Sequence, residues 1–496
     1  MSYLRPGVYL TETLLPAPIA SGPSANAAGA VVGQFAKGPE AVTLVTSWFD
    51  FTNKFGGYDA SNPATFQVGS FFTNGGKELY VKRVLHTDAA TASVNLLTSG
   101  SATVATVTSK NAGSDSNNLF VTLTAGQVSS TYNLYLYNET TSGPVLVESY
   151  QNIVFNDSTS SSYAGTVINT LSPNITISAE ASGVPVLTTY PLTGGSNGTA
   201  LTATDYTDYK GSGDSVFAGF SVIDRPLVVF LPEINLISSA TTVIDAAISW
   251  AEANNGFVVA ETPAGESVSS AISFAGSLTE SSNAAVYYPH LYVSDPLGRS
   301  PQSLRLIGPS GAVAGYFLLN DSTPGKGVAK APAGITASLA GAVATEIGFT
   351  SSDLDSMNSS TSPVNPIRQI PGAGIAIMGA RTLLQDGTAN KYVNMRRSLI
   401  YIEQNLENLT QFALFENNDE RLWAKIYTVI NVFLNNYRNA GGLRGATSAQ
   451  AYYILCDGTN NTPTTIANGQ VNIQIGVALE YPAEFVVINL SQNTLA

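Results

Sequence analysis

The sequence predicts a multidomain α/β protein with an antiparallel β domain inserted in its first half and an α+β region at its C-terminal end. Three observations point there. From about residue 205, buried-type strand runs alternate with an amphipathic helical stretch, the order that builds a parallel α/β layer. Between about residues 90 and 195, Ser, Thr, Val and Asn dominate, and short strand-like runs recur with turn residues between them. Two long stretches near the C-terminal end keep helical spacing of apolar residues.

Taken in order, residues 1–26 read as an arm. Pro6 and the pair Pro16 and Pro18 bracket "GVYLTETLL", whose alternation suits a strand, and "PIASGPSANAAG" reads as a linker. "AVVGQF" is an expected strand. "SWFDFTNKFGG" is a short helix with Ser47 and Asp50 at capping-box spacing and Gly56 as its stop, and "KELYVKRVL" is a strand. Only six charged residues occur from Ala90 to Ala200, where "ATVATVTS", "NLFVTLTA", "YNLYLYN" and "ITISA" are the expected β strands.

"RPLVVFLPE", "FVVAETP" and "AAVYYPHLYV" then read as strands. "TTVIDAAISWAEANNG" reads as a helix with Ile244, Ala247, Ile248 and Ala251 on one face and Gly256 at its end. In the last third, Met395, Leu399, Ile402, Leu406, Leu409 and Ala413 form one helical stripe. Leu422, Ile426, Val429, Ile430, Phe433 and Tyr437 form another, with Asn417 and Glu420 at capping-box spacing and Gly441 at the end.

Composition narrows the function. Charged residues make up 11% of the 496, against a usual share of about 25%. The net charge of −13 comes wholly from residues 1–360, with 13 basic and 26 acidic side chains; residues 361–496 hold 9 of each. An acidic chain without Lys/Arg clusters argues against a direct grip on nucleic acid. Cys456 is the only cysteine, which excludes an intrachain disulfide and a multi-cysteine zinc site. No signal peptide and no bilayer-spanning run are expected.

The search for chemistry finds no catalytic, cofactor or metal constellation. The two histidines, His86 and His290, match no triad order with Ser310, whose "GPSGA" lacks the second glycine of a nucleophile elbow. "STPGKGVAKAPAG" lacks the phosphate-loop pattern, and "DGTNN" from Asp457 lacks calcium-loop spacing. The ends remain. Val8, Tyr9 and Leu10 in the first arm, and Phe485, Val486, Val487 and Ile488 in the last, form strand-type segments where termini are usually polar. Either they fold back as edge strands, or they pair with other copies by strand addition.

An ordered series of motifs decides between these. "RPGVYLTE", "VGQFAKGPE", "VTSWFDFTNKFGG", "LTGGSNG", "AVYYPHLYVSDP", "GPSGAVAGYFLLND", "KAPAG", "NPIRQIPGAGIAIMGART", "VNMRRSLIYIEQNL", "WAKIYTVINVFL" and "YPAEFVVINL" resemble the successive signatures of contractile tail sheath proteins. "GSDSNN" at Gly113 departs from the family's tryptophan-containing turn.

The resemblance implies a structural subunit, not an enzyme. It would stack as six-fold rings around an inner tube in a phage tail, an R-type bacteriocin or a related injection particle. Six segments follow from it: an arm and linker (1–26), the first part of an α/β sheath region (27–89), an outer inserted β domain (90–200), a subtilisin-like α/β sheath domain without catalytic residues (201–360), a tube-facing domain (361–482) and a C-terminal strand arm (483–496).

The implied partners are other copies of the chain, the tube protein, and baseplate and tail terminator proteins, with no nucleic acid and no membrane insertion. The implied location is a tail sheath assembled in a bacterial host cytoplasm. The arms would augment a sheet made from Tyr453, Ile454, Leu455, Ile473, Ile475 and Val477. Arg397 and Lys425, off the apolar stripes of their helices, would face the tube. The runner-up is a self-assembling fibre or surface-layer protein that does not contract.

Overall fold

The computed structural model describes residues 27–140, 142–179, 183–300, 302–323, 327–384 and 386–484. The arm residues Val8, Tyr9 and Leu10, and Phe485 to Ile488, lie outside them.

An eight-stranded sheet organises the chain. Its inner strands are parallel: Leu79–Arg83, Ala28–Gly33, Leu227–Phe230, Phe257–Glu261, Ala284–Tyr288 and Val364–Ile370, in that spatial order. Short antiparallel strands close the two edges, Thr43–Val45 on Leu79–Arg83 and Gly374–Ile377 on Val364–Ile370. The parallel strands are apolar on both faces because helices cover both.

On one face, helix Ala240–Ala253 packs Val243, Ile244, Ala247, Ile248 and Ala251 against Val229, Val258 and Val286. On the other, helices Ala64–Thr73 and Ser310–Asp321 pack Val68, Phe71, Val313 and Phe317 against Val228, Phe230 and Tyr287. Those two helices approach closely because Gly311 and Gly315 present no side chain to the backbone of Gln67 and Phe71; a Cβ at either would lie 2.3 Å from the facing carbonyl oxygen.

Several local expectations meet the structure directly. Ser47 caps helix Trp48–Phe55, its Oγ accepting from the Asp50 N–H at 3.1 Å, and Gly56 stops that helix at φ 101°. "AAVYYPHLYV" is two strands, not one. Ala284–Tyr288 belongs to the main sheet, the chain turns at Pro289, and Leu291–Ser294 joins a small antiparallel sheet with Leu304–Ile307 and Ala342–Thr345.

The stretch read as all β, between residues 90 and 195, contains two antiparallel sheets around their own core. It also contains helix Ala164–Leu171, which buries Ala164 and Ile168 in that core. Two turns of "AGTVINTL" were too short to register a helical period among β-branched residues.

The root of this unit is tied to the main sheet by Arg83, fully buried at the end of its strand. Its guanidinium donates to the carbonyls of Phe35, Ala36, Gly38 and Ala112. Burial pulls its pKa down to about 10, so it stays charged at neutral pH.

Candidate functional site

Two helices and a strand pair build the C-terminal unit. Helix Val393–Thr410 buries Met395 and Ile402 against helix Glu420–Asn439, which contributes Leu422, Ile426, Ile430 and Leu434. The second helix starts at Asp419, whose side chain accepts from the N–H groups of Arg421 and Leu422 at 3.0 Å. Asn417, the expected cap, is not used; Asp419 stands one residue before the helix and reaches the same free donors.

The first helix has a second buried stripe that faces the α/β layer: Arg397, Ile400 and Gln404. Arg397 Nη1 donates to Asp321 Oδ1 at 2.9 Å, Nη2 bonds Oδ2, and the guanidinium lies 4.8 Å from the Phe317 ring centre. Gln404 Nε2 donates to Asp224 Oδ1 at 2.8 Å. Arg397 is therefore an interior residue, 5% exposed, and its expected place on a tube-facing surface is corrected. An arginine read as solvent-facing from one stripe belongs to a helix that is packed on two sides. Lys425 is exposed, its Nζ 4.2 Å above the Phe412 ring.

The expected acceptor segments form an antiparallel pair, Tyr452–Leu455 with Gln474–Val477, in the register Tyr453↔Gly476 and Ile454↔Ile475. Among the described residues this sheet has two strands, so each strand has a lateral edge without a ladder partner. Ile473 lies just ahead of the second strand. Tyr452 packs inward, its hydroxyl donating to Asn431 Oδ1 at 2.8 Å, while Tyr453 is half exposed over Gly476, where a Cβ would strike its ring.

From Val477 the chain runs along the C-terminal unit and reaches the α/β layer only at Glu484. The Ala478 N–H donates to the Ala451 carbonyl, Asn394 Nδ2 to the Glu480 carbonyl, and Tyr481 packs edge-on against Tyr392. At Glu484, Arg381 Nε and Nη2 each donate at 2.7 Å to one carboxylate oxygen. Burial pushes the Glu484 carboxyl up, but Arg381 and the Tyr392 hydroxyl outweigh it, so it titrates below the ordinary value.

Ser310 sits in a closed polar cluster. Ser310 is fully buried; its Oγ donates to Gln67 Oε1 at 2.8 Å and its N–H to Glu261 Oε2 at 3.0 Å. Gln67 Nε2 bridges Glu261 and Glu233. His290, 4% exposed, faces Glu346 at 3.9 Å and makes no hydrogen bond to Ser310 among the described residues. Among the described residues the Ser310 hydroxyl is bonded to Gln67 and to no histidine.

Residues 385–493 match the family described as phage tail sheath C-terminal domain. The C-terminal part of this chain is therefore similar to a tail sheath domain. The tail sheath protein of Vibrio phage KVP40 is 25% identical over 126 residues, 25% of this chain and 18% of that protein. The tail sheath protein of Enterobacteria phage T4 is 26% identical over 103 residues, 21% of this chain and 15% of that protein. The chain thus spans less than a fifth of the length of these curated tail sheath relatives.

Fold similarity runs further. The sheath of an extracellular contractile injection system, PVC, in its contracted state is 20% identical with a TM-score of 0.57, covering 99% of both chains. The helical sheath of the anti-feeding prophage, also contracted, is 19% identical with a TM-score of 0.58, covering 98% of this chain and 99% of that one. A sheath tail protein from Listeria innocua is 12% identical with a TM-score of 0.62, covering 88% and 90%. At these identities the likeness is one of fold. These relatives are structural sheath proteins, not enzymes.

The sheath reading of the sequence did not foresee Asp321 and Arg381. The only signal for Asp321 was the i, i+3, i+7 spacing of Arg397, Ile400 and Gln404, which marks a second contact face on a helix. Arg381, in an irregular segment, gave none.

Proposed function

We propose that this chain is the structural subunit of a contractile tail sheath, polymerising as stacked six-membered rings around an inner tube and shortening to drive that tube through a target envelope. The observation that carries the reading is coverage: the fold of the described chain follows contracted sheath proteins along nearly their whole length, and its C-terminal part matches the sheath family by sequence.

On this reading the central sheet with helix Ser310–Asp321 is the subtilisin-like sheath domain, which the fold extends beyond the expected 201–360 to strands from residues 27–89 and to Val364–Ile370 and Gly374–Ile377, and residues 90–200 face outward. Of the expected tube-facing segment 361–482, strands Val364–Ile370 and Gly374–Ile377 belong to the central sheet, the part from helix Val393–Thr410 onward faces the tube, and Lys425 is a candidate tube contact. Residues 1–26 and 483–496 are arms that complete the Tyr452–Leu455 and Gln474–Val477 pair of neighbouring copies through Val8, Tyr9 and Leu10 and through Phe485 to Ile488. Main-chain bonds on a free edge supply the affinity. Contraction is then a move between two lattices with the strand pairs kept. Further partners are the baseplate and terminator proteins, the setting is the tail of a virion or an injection particle assembled in a bacterial cytoplasm, and no nucleotide is consumed.

The test is assembly of the purified chain. Hollow striated tubes in micrographs are expected, and Val487→Pro, which removes a main-chain donor in the middle of the arm, should leave a folded protein that does not form them. Flat arrays or smooth unbranched fibres would instead favour a non-contractile lattice.

A further inference from the structure

The last described residue, Glu484, is held on the α/β layer and not on the sheet pair to which it is joined in sequence. Ala478 and Leu479 still run beside the C-terminal unit, bonded to Ala451 and Arg444 and bridged to Leu443; the chain then passes Asn394 at Glu480 and Tyr392 at Tyr481 and ends on the α/β layer at the Arg381–Glu484 fork. Arg381 is itself fixed. Its backbone N–H donates to Asn365 Oδ1 at 2.7 Å, and Asn365 Nδ2 donates back to the Arg381 carbonyl at 2.8 Å. Asn365 is buried on the inner strand Val364–Ile370. The remaining guanidinium nitrogen donates to the Asn358 carbonyl at 2.7 Å, at the C-terminal end of helix Ser351–Ser359, where the helix dipole favours a cation. Tyr392 supplies a third donor toward Glu484.

We propose that Arg381 is a positioning residue for subunit exchange: its fork on Glu484 fixes the point and direction from which the chain beyond 484 reaches a neighbouring copy. This rests on the reading of residues 483–496 as an exchanged strand. The fork adds little to folding stability, because both partners are partly exposed and solvent screens the pair. Its effect is geometric. A bidentate arginine–carboxylate pair defines an orientation as well as a distance. Anchoring at the α/β layer also shortens the length over which the segment must search. With residues 478–480 held separately, releasing the fork would free residues 481–484 and add about four residues of reach, and effective concentration falls with roughly the three-halves power of tether length.

The experiment uses the full-length chain and a double-mutant cycle of Arg381→Ala, Glu484→Ala and both together. Assembly is followed by sedimentation and micrographs, and thermal melting is measured on unassembled protein. Each single variant is expected to melt within about 2 °C of the parent while raising the concentration needed for tube formation by about twofold or more. The double variant should be no worse than either single, because the two residues act as one contact. Glu484→Ala leaves the Arg381–Asn358 bond in place, so it decides the matter even if Arg381→Ala unfolds. Parent-like assembly by Glu484→Ala, or additive losses in the double variant, would overturn the proposal while leaving the sheath reading intact. A parent chain that forms no striated tubes would overturn both.

Discussion

Replacing Arg397 by alanine should destabilise the junction between the C-terminal helices and the α/β layer by about 3 kcal/mol. The parent pair is well formed: two parallel bonds to Asp321, a ring contact with Phe317, and side chains 5% and 16% exposed. Among the described residues Asp321 has no other side-chain partner, so truncation leaves a desolvated carboxylate. Losing one partner of such a pair costs about 3–5 kcal/mol, and the guanidinium–ring contact adds about 1 kcal/mol.

Two effects bring the figure back toward the lower end. A cavity of about 330 Å³ adjoins Arg397, lined also by Ile400, Tyr401, Phe433 and Tyr437, and water entering it would resolvate the acid. Burial already pushes the Asp321 carboxyl up, so proton uptake limits the penalty. Urea unfolding followed by helical circular dichroism and by Trp423 fluorescence measures the change. The paired change Arg397→Met with Asp321→Leu should come back to within about 1 kcal/mol of the parent, because no charge is then left buried. A loss below about 1 kcal/mol for Arg397→Ala alone would refute the reasoning and return Arg397 to the list of surface candidates.

Two further outcomes are expected. Glu233 and Glu261 are both raised above the ordinary 4.5, chiefly by burial, with mutual repulsion adding to Glu233. The folded chain therefore keeps protons that the unfolded chain loses. That contribution is complete below pH 4.5 and declines as pH rises through the raised folded values. Glu233→Gln should flatten the loss of melting temperature as pH rises above 4.5, and an unchanged slope would count against the shared burial. Gly315→Ala should cost about 1–3 kcal/mol by urea unfolding despite its better helix propensity, since the new methyl meets the rigid Phe71 carbonyl. Gly348→Ala, with nothing within 4 Å, is the control and should be close to neutral.

The parallel layer was legible in the sequence because strands buried on both faces read as continuous apolar runs. "PLVVF" and "FVVAE" need no tertiary information to be recognised. The two C-terminal helices were legible for the same reason, each carrying a long apolar stripe. The contacts that stayed hidden share one cause: polar residues whose partners are remote in sequence. Arg397 and Asp321 are 76 positions apart, and Arg381 and Glu484 are 103 apart. Each reads as a solvated charge until the fold brings its partner. The break at Pro289 was hidden differently, since apolar residues continue across it while the chain changes sheets. The family resemblance rested on ordered motifs and carried no pairing information of this kind.

These remote pairs make one structural argument when set beside the low charge of the chain. With only 22 Lys and Arg in 496 residues, three arginines stand at three joints. Arg83 ties the root of the β-rich unit to the main sheet through four backbone carbonyls. Arg397 ties the C-terminal helices to helix Ser310–Asp321. Arg381 ties the departing C-terminal segment to the far side of the same sheet. Joints are where regular hydrogen bonding stops and several carbonyls or carboxylates need donors from one direction. A planar guanidinium with five donors meets that need, and a lysine with one mobile ammonium does not. Such contacts fix orientation, so units joined this way move as one body. Under the proposed sheath function, rigid joints inside the chain would concentrate the motion at the contacts between copies. Arg83→Lys and Arg381→Lys, though charge-conserving, should therefore loosen the joints, which hydrogen exchange at Ala112–Asn118 and at Ala478–Glu484 would detect.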